Sequence, residues 1–174
     1  MTNYLHDDFA YYGFELHYAG ITPKLYAEEL LDFGNCGIED YKFLCFNGEI
    51  YCFWIDFNRN SNHKRNVYDL NWNLLPWNQW TYGNYEGEVQ KPENFDEMIN
   101  IVKALCKGFD HVRVDLYNVR GKIYFGEMIF TNGGGYKPIQ PQEMDFELGK
   151  VWNLEITNNR LKEHKKWDYL QEKH

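Results

Sequence analysis

An excess of positive charge is missing from this 174-residue chain, which sets 18 Lys and Arg against 26 Asp and Glu for a formal net charge of −8. Its general field repels phosphate, which argues against non-specific binding to nucleic acid or an anionic membrane; a phosphate ligand needs a local site or a metal. No apolar run approaches the length that spans a bilayer, and Met1 to Tyr12 lacks the basic start and apolar stretch of a secretory signal. No integral membrane segment is expected, and the expected location is the cytoplasm. Cysteine is sparse: Cys36, Cys45, Cys52 and Cys106 show no metal-type spacing, and two of them sit inside apolar runs where a thiol packs as a small hydrophobe. Buried free thiols are expected rather than disulfides. What the chain does have is apolar material, 44% hydrophobic with 18% aromatic, enough for one domain with a real core.

Residues 1–23 are aromatic and irregular, punctuated by Gly13, Gly20 and Pro23, and read as an extended lead-in. A domain over residues 24–152 follows, and residues 153–174 form a charged C-terminal helix or tail whose basic run Lys162 to Lys166 reads as a solvated face. Within the domain, Lys24 to Leu31 reads as a strand, and Tyr41 to Phe46 and Ile50 to Phe57 flank Asn47-Gly48, a strong hairpin signal. Asn58 to Gly87 is polar and aromatic, without a regular pattern, and a loop of that length is more often functional than idle. Lys91-Pro92-Glu93-Asn94 opens a helix with Asp96 and Glu97 in its first turn, an apolar face from Phe95 to Phe109 and Gly108 as its stop. Strands over 112–116 and 123–130 form a second hairpin about Arg120-Gly121, and Pro141-Gln142-Glu143 opens a short helix. The fold class expected is α+β, an antiparallel β-sheet with helices on one face.

Asp115 and Glu127 are acids in strands otherwise made of packing residues. A three-residue loop Arg120-Gly121-Lys122 sets Val119 against Ile123 and Asp115 directly opposite Glu127, about 5 Å apart on one face. A two-residue loop puts them on opposite faces. Facing carboxylates repel unless a cation lies between them or one holds a proton. Hard oxygens on a rigid hairpin suit Mg²⁺, which binds through one or two carboxylates together with phosphates and waters. Exposed acids on a hairpin face are also common and cost little. Arg113, on the same face, either neutralises Asp115 or stabilises a developing oxyanion.

The run Val112-Arg113-Val114-Asp115-Leu116-Tyr117-Asn118, then Gly121 to Glu127 and the glycines at 133 to 135, resembles the metal-binding hairpin of ATP-grasp enzymes. Glu39 to Gly48 and Asn62 to Asn73 resemble the TupA-like group of that family in particular, which acts in bacterial surface-polysaccharide synthesis, and the likeness runs from about Tyr12 to about Trp152. The resemblance implies an ATP-grasp-type carboxylate–amine ligase with ATP and Mg²⁺ as cofactors and a small acidic or sugar-acid substrate, working through an acyl phosphate. It implies Asp115 and Glu127 as metal ligands and Arg113 as the catalytic arginine near the acyl phosphate. Glu28, Glu29, Leu30 and Leu31 match the hinge whose backbone meets adenine, the other reading being a plain strand. Asp40 falls where a family acid contacts ribose, or is a turn residue. His63, Lys64 and Arg65 lie in a loop suited to a phosphate or acceptor carboxylate, with His63 open to a simple hydrogen-bonding role. Trp72, Trp77 and Trp80 are read either as sugar-stacking or as core or lid packing.

Two departures stand out. Many ATP-grasp enzymes carry a third metal ligand, Asn, two residues after the glutamate; Ile129 occupies that position and Asn132 is out of register. The family's N-terminal region, with its phosphate-binding lysines and glycine-rich loop, is not expected in the eleven residues before Tyr12. Three explanations are open: a fragment of a longer protein, a cleft completed by a homodimer or partner chain, or a non-catalytic domain binding a glycan or protein through the aromatic loop from Tyr68 to Tyr85. A weaker reading is a glycosyltransferase-associated protein.

Overall fold

Strand-forming alternation around two left-handed turns builds the main sheet. The computed structural model describes residues 9–11, 13, 15–34, 40–59, 61–79 and 82–153. Strands β1 (Asp40–Phe46) and β2 (Glu49–Phe57) meet at Asn47-Gly48, both at positive φ, 53° and 83°. That pair matches the right-handed twist of the strands it joins. β3 (Lys64–Tyr68) and the short β4 (Asn78–Gln79) come next, then helix α1 (Phe95–Cys106). β5 (His111–Val119) and β6 (Lys122–Ile129) form the second hairpin, and β7 (Ile139–Gln140) and α2 (Gln142–Val151) close the described chain. The five-stranded sheet has the order β3-β2-β1-β5-β6, antiparallel at each junction, while β4 and β7 pair separately.

The period-two pattern sorts residues between two faces. Tyr41, Phe43, Phe53, Ile55, Val112, Val114 and Leu116 point to one face and pack on Phe95, Met98, Val102 and Cys106 of α1. Phe43, Phe53 and Phe95 meet with ring centroids 5.1–6.2 Å apart, each pair worth about 0.5–1.5 kcal/mol beyond the area it buries. Leu44, Phe46, Cys52, Trp54 and Val67 take the other face and pack with Trp77 and with Leu148 of α2. The α+β class and antiparallel sheet are as expected. α1, with Trp72 and Tyr85 beside it, covers the more apolar face, whereas α2 lies on the opposite one, because Leu44, Phe46, Cys52 and Trp54 supply a second apolar patch there.

Two sequence-based expectations are corrected. Residues 24–31 have no regular secondary structure, with Tyr26 81% and Leu30 93% exposed, because among the described residues no strand pairs with their backbone. The third neighbour of the first hairpin is β3 instead, inside the stretch read as irregular. Its polar residues are buried by pairing, Arg65 lying opposite Asp56 and Asn66 donating to the Tyr68 hydroxyl at 3.0 Å. Of the two alternatives for the tryptophans, Trp72 and Trp77 take the packing one: Trp72 stacks on Tyr68, its indole N–H donates to the Val89 carbonyl, and Trp77 is buried. Tyr85 is likewise stacked on Phe57. Cys45, Cys52 and Cys106 are buried free thiols, as expected. Cys36, Trp80 and the tail beyond residue 153 lie outside the described residues. Among the described residues no helix is long and apolar enough to cross a membrane.

Candidate functional site

The turn of the second hairpin is the two-residue Arg120-Gly121, so Val119 faces Lys122. Regular pairing from that turn would set Asp115 against Gly126 and send Glu127 to the other face. A β-bulge intervenes: Leu116 pairs with Phe125, Asp115 with Glu127, and Gly126 is the extra residue. The two acids thus stand opposite each other on one face, by a route different from the three-residue loop read in the sequence. Glycine suits the bulge because a Cβ there would lie 3.1 Å from both the Asp115 carbonyl oxygen and the Tyr117 ring.

Cross-strand pairing extends this pair into a polar band over the middle of the sheet. Lys42 lies opposite Asp115, and Asp40 lies opposite both Asp56 and Tyr117. The Lys42 Nζ bridges Asp40 Oδ2 at 2.8 Å and Asp115 Oδ2 at 2.5 Å. Arg113 closes on Asp115 with two bonds of 2.7 Å, from Nε to Oδ1 and from Nη2 to Oδ2, donates from Nη1 to Asn132 Oδ1 at 2.6 Å, and lies 3.5 Å from Glu127. Arg59 donates to Asp40 Oδ2 at 2.6 Å. Asp40, Lys42, Arg113 and Asp115 are all buried. Burial first, and the facing Asp115 carboxylate second, hold the Glu127 carboxyl above its ordinary value. Burial likewise raises Asp40, against the pull of Lys42.

A second ionic group sits at the β2–β3 edge. Arg65 grips Asp56 through Nε (2.5 Å) and Nη2 (2.9 Å), bonds Gln79, and has its guanidinium over the rings of Trp54 and Tyr82 at 4.8 and 4.9 Å. Burial pushes the Asp56 carboxyl up, but the Arg65 bonds and charge outweigh it, so the carboxyl lies below its ordinary value. His63 stacks on Tyr82 with its Nε2 3.1 Å from Asp56.

A cleft of about 970 Å³ is lined by Glu28, Glu29, Leu30 and Leu31 on one side and by Arg59, Tyr117, Gly126 and Glu127 on the other. The structure therefore brings the sequence-read hinge residues, though not as a strand, to the same cleft as Glu127, with Asp115 and Arg113 buried behind it. Asp40 lies in the buried band beneath the cleft, held by Lys42 and Arg59. His63, Lys64 and Arg65 do not converge: His63 and Arg65 meet at Asp56, whereas Lys64 alternates to the other face of β3, its Nζ beside Gly83. Lys42, Asp56 and Arg59 escaped sequence reasoning. The signal for Lys42 was a lysine at alternate spacing inside Asp40–Phe46, a strand buried throughout.

Two facing carboxylates form a donor set that fits Mg²⁺ shared with phosphates and waters. Ile129 pairs with Arg113 and offers no oxygen, and the Asn132 side-chain oxygen is taken by Arg113. Among the described residues no group of three His, Cys, Asp or Glu could hold a metal by itself. The family model described as TupA-like ATPgrasp matches residues 1–153. No curated protein and no solved structure matches the chain. With that match over most of its length, and with the acid pair and arginine of the hairpin in place, the chain belongs to the TupA-like ATPgrasp family.

Proposed function

We propose that this chain is the nucleotide- and metal-holding part of a carboxylate–amine ligase that uses Mg-ATP in the cytoplasm, in the assembly of a bacterial surface polysaccharide. The observation that carries the chemistry is the opposition of Asp115 and Glu127 across the bulge, beside Arg113, at the wall of a cleft. The pathway rests on the family resemblance alone. Mg²⁺, when bound, screens the phosphate charge during transfer.

Asp115 and Glu127 supply the carboxylate oxygens for it. In this reading Glu28 to Leu31, which line the cleft, meet the base of the nucleotide. Arg113, fixed in its plane by Asp115 and Asn132, presents a stationary positive charge to an acceptor carboxylate. In the reaction, a carboxylate oxygen of a small acid or sugar acid attacks the terminal phosphorus and ADP leaves. An amine then attacks the acyl carbon, releasing phosphate and a proton as the amide forms.

A second reading, a non-catalytic or partner-dependent nucleotide-binding domain, is favoured by Ile129 at the place of a third oxygen ligand. Calorimetric titration of ATP with and without Mg²⁺, on the wild type and on Asp115→Asn with Glu127→Gln, tests the proposal. Mg²⁺-dependent binding that vanishes in the double variant supports it; absence of binding in the wild type sinks it. Bound nucleotide that is not turned over with any carboxylate and amine pair points to the second reading.

A further inference from the structure

We infer that Lys42 is a resident counter-ion of the Asp115–Glu127 pair, which the metal must displace, so that divalent cation and nucleotide load together and the cation does not load alone. This rests on the reading of that pair as a metal site. Three carboxylates, Asp40, Asp115 and Glu127, face three cations, Lys42, Arg59 and Arg113, in contacts of 2.5–3.5 Å. The band is therefore balanced as it stands. A bare divalent cation would leave two positive charges uncompensated in a mostly buried place, whereas a nucleotide polyphosphate brings the missing negative charge with it.

The geometry gives the displacement a route. Asp115 Oδ1 accepts one bond, from Arg113, whereas Oδ2 accepts two, from Arg113 and Lys42, so a metal that takes Oδ2 has to open one of those two bonds. Lys42 is the group able to yield. Its ammonium has a second anchor in Asp40, whose Oδ1 is buried and has no hydrogen-bond partner. Moving from Asp115 towards Asp40 exchanges one carboxylate oxygen for another and keeps the buried ammonium paired. Arg113 is tied to Asp115 and Asn132 by three short bonds, and its second carboxylate, Glu127 at 3.5 Å, is the other member of the pair the metal would share.

The test is Mn²⁺ binding followed by electron paramagnetic resonance, with Mn²⁺ alone and with a non-hydrolysable ATP analogue. In the wild type, Mn²⁺ alone binds at least tenfold more weakly than with the analogue. Lys42→Gln, which removes the charge, tightens binding of Mn²⁺ alone at least tenfold, while Lys42→Arg leaves it at the wild-type level. Equal affinity of wild type and Lys42→Gln for Mn²⁺ alone overturns the inference.

Should Lys42→Gln not fold, the Nζ resonance of Lys42 in the wild type decides. It shifts on addition of Mg²⁺ with the analogue and stays in place with Mg²⁺ alone, and a shift with Mg²⁺ alone overturns the inference. If the wild type binds neither Mn²⁺ nor analogue even together, the ligase reading is what fails. The response of Lys42→Gln to Mn²⁺ alone still judges Lys42 in that case.

Discussion

Asp115 and Glu127 face each other because Gly126 is left unpaired between the positions opposite Leu116 and Asp115. A one-residue irregularity in an edge hairpin thereby sets which way the outer acid points. Gly126→Val tests this directly, since its first side-chain carbon already falls 3.1 Å from a backbone oxygen and from the Tyr117 ring. The variant is expected to lose about 1–3 kcal/mol of stability in urea denaturation. Its Mg²⁺-dependent nucleotide binding is expected to fall further than that destabilisation accounts for. Unchanged binding in the folded variant would contradict the role given to the bulge.

Glu127 has a raised carboxyl pKa, from burial and then from Asp115. A group whose folded-state pKa lies above its unfolded value contributes stability that is complete below the unfolded pKa and is lost as pH rises through the folded one. Glu127→Gln removes this loss. Thermal melting of the metal-free protein should therefore show the variant more stable than wild type at neutral pH, with the gain disappearing below about pH 4, where the unfolded glutamate is also protonated.

Arg65→Met removes the charged partner of buried Asp56 and leaves the carboxylate without its two bonds from Arg65. Breaking such a pair from one side costs about 3–5 kcal/mol. The Asp56 carboxyl is lowered in the folded wild type, burial notwithstanding, so its contribution is present above the unfolded pKa and lost as pH falls through the folded one. The stability gap between wild type and variant, read from urea midpoints, should accordingly narrow on acidification.

Arg120 adopts φ 53° at the first central position of its turn, the place that Asn47 fills, also at φ 53°, in the other hairpin. A left-handed conformation costs an ordinary L-residue about 1–2 kcal/mol, and asparagine tolerates it better. Arg120→Asn should raise the melting temperature, with a gain of roughly 0.5–1 kcal/mol. The exposed contact of Arg120 with Asp32, at 3.2 Å, has little stability to lose.

Both hairpins, α1 and the buried thiols were legible, because Asn47-Gly48, Arg120-Gly121 and the apolar face from Phe95 act through neighbours close in sequence. β3 was not. Lys64-Arg65-Asn66 reads as part of an irregular polar loop until the chain fold supplies Asp56 opposite Arg65, and a polar strand buried by its own ion pairs has no apolar period to betray it. The same limit hid Lys42 and Arg59, whose meaning depends on Asp40 and Asp115 arriving from other strands. Asp115 and Glu127 were placed together in the sequence through a loop length that the structure does not have; the bulge at Gly126 carries no sequence signal beyond a glycine in a strand. The segment 24–31 misled in the other direction, since no strand among the described residues pairs with its backbone.

β1 carries Tyr41 and Phe43 to the core and Asp40 and Lys42 to the ionic band, on alternate residues of one strand at the centre of the sheet. Anything that clamps the band also clamps the core, so occupancy and melting should move together. A ligand present at a hundred times its dissociation constant adds about 2.7 kcal/mol to the folded state. The acid and amine that the proposed reaction requires can therefore be sought by thermal-shift screening of compound collections in the presence of Mg²⁺ and a nucleotide analogue, before any assay of turnover exists.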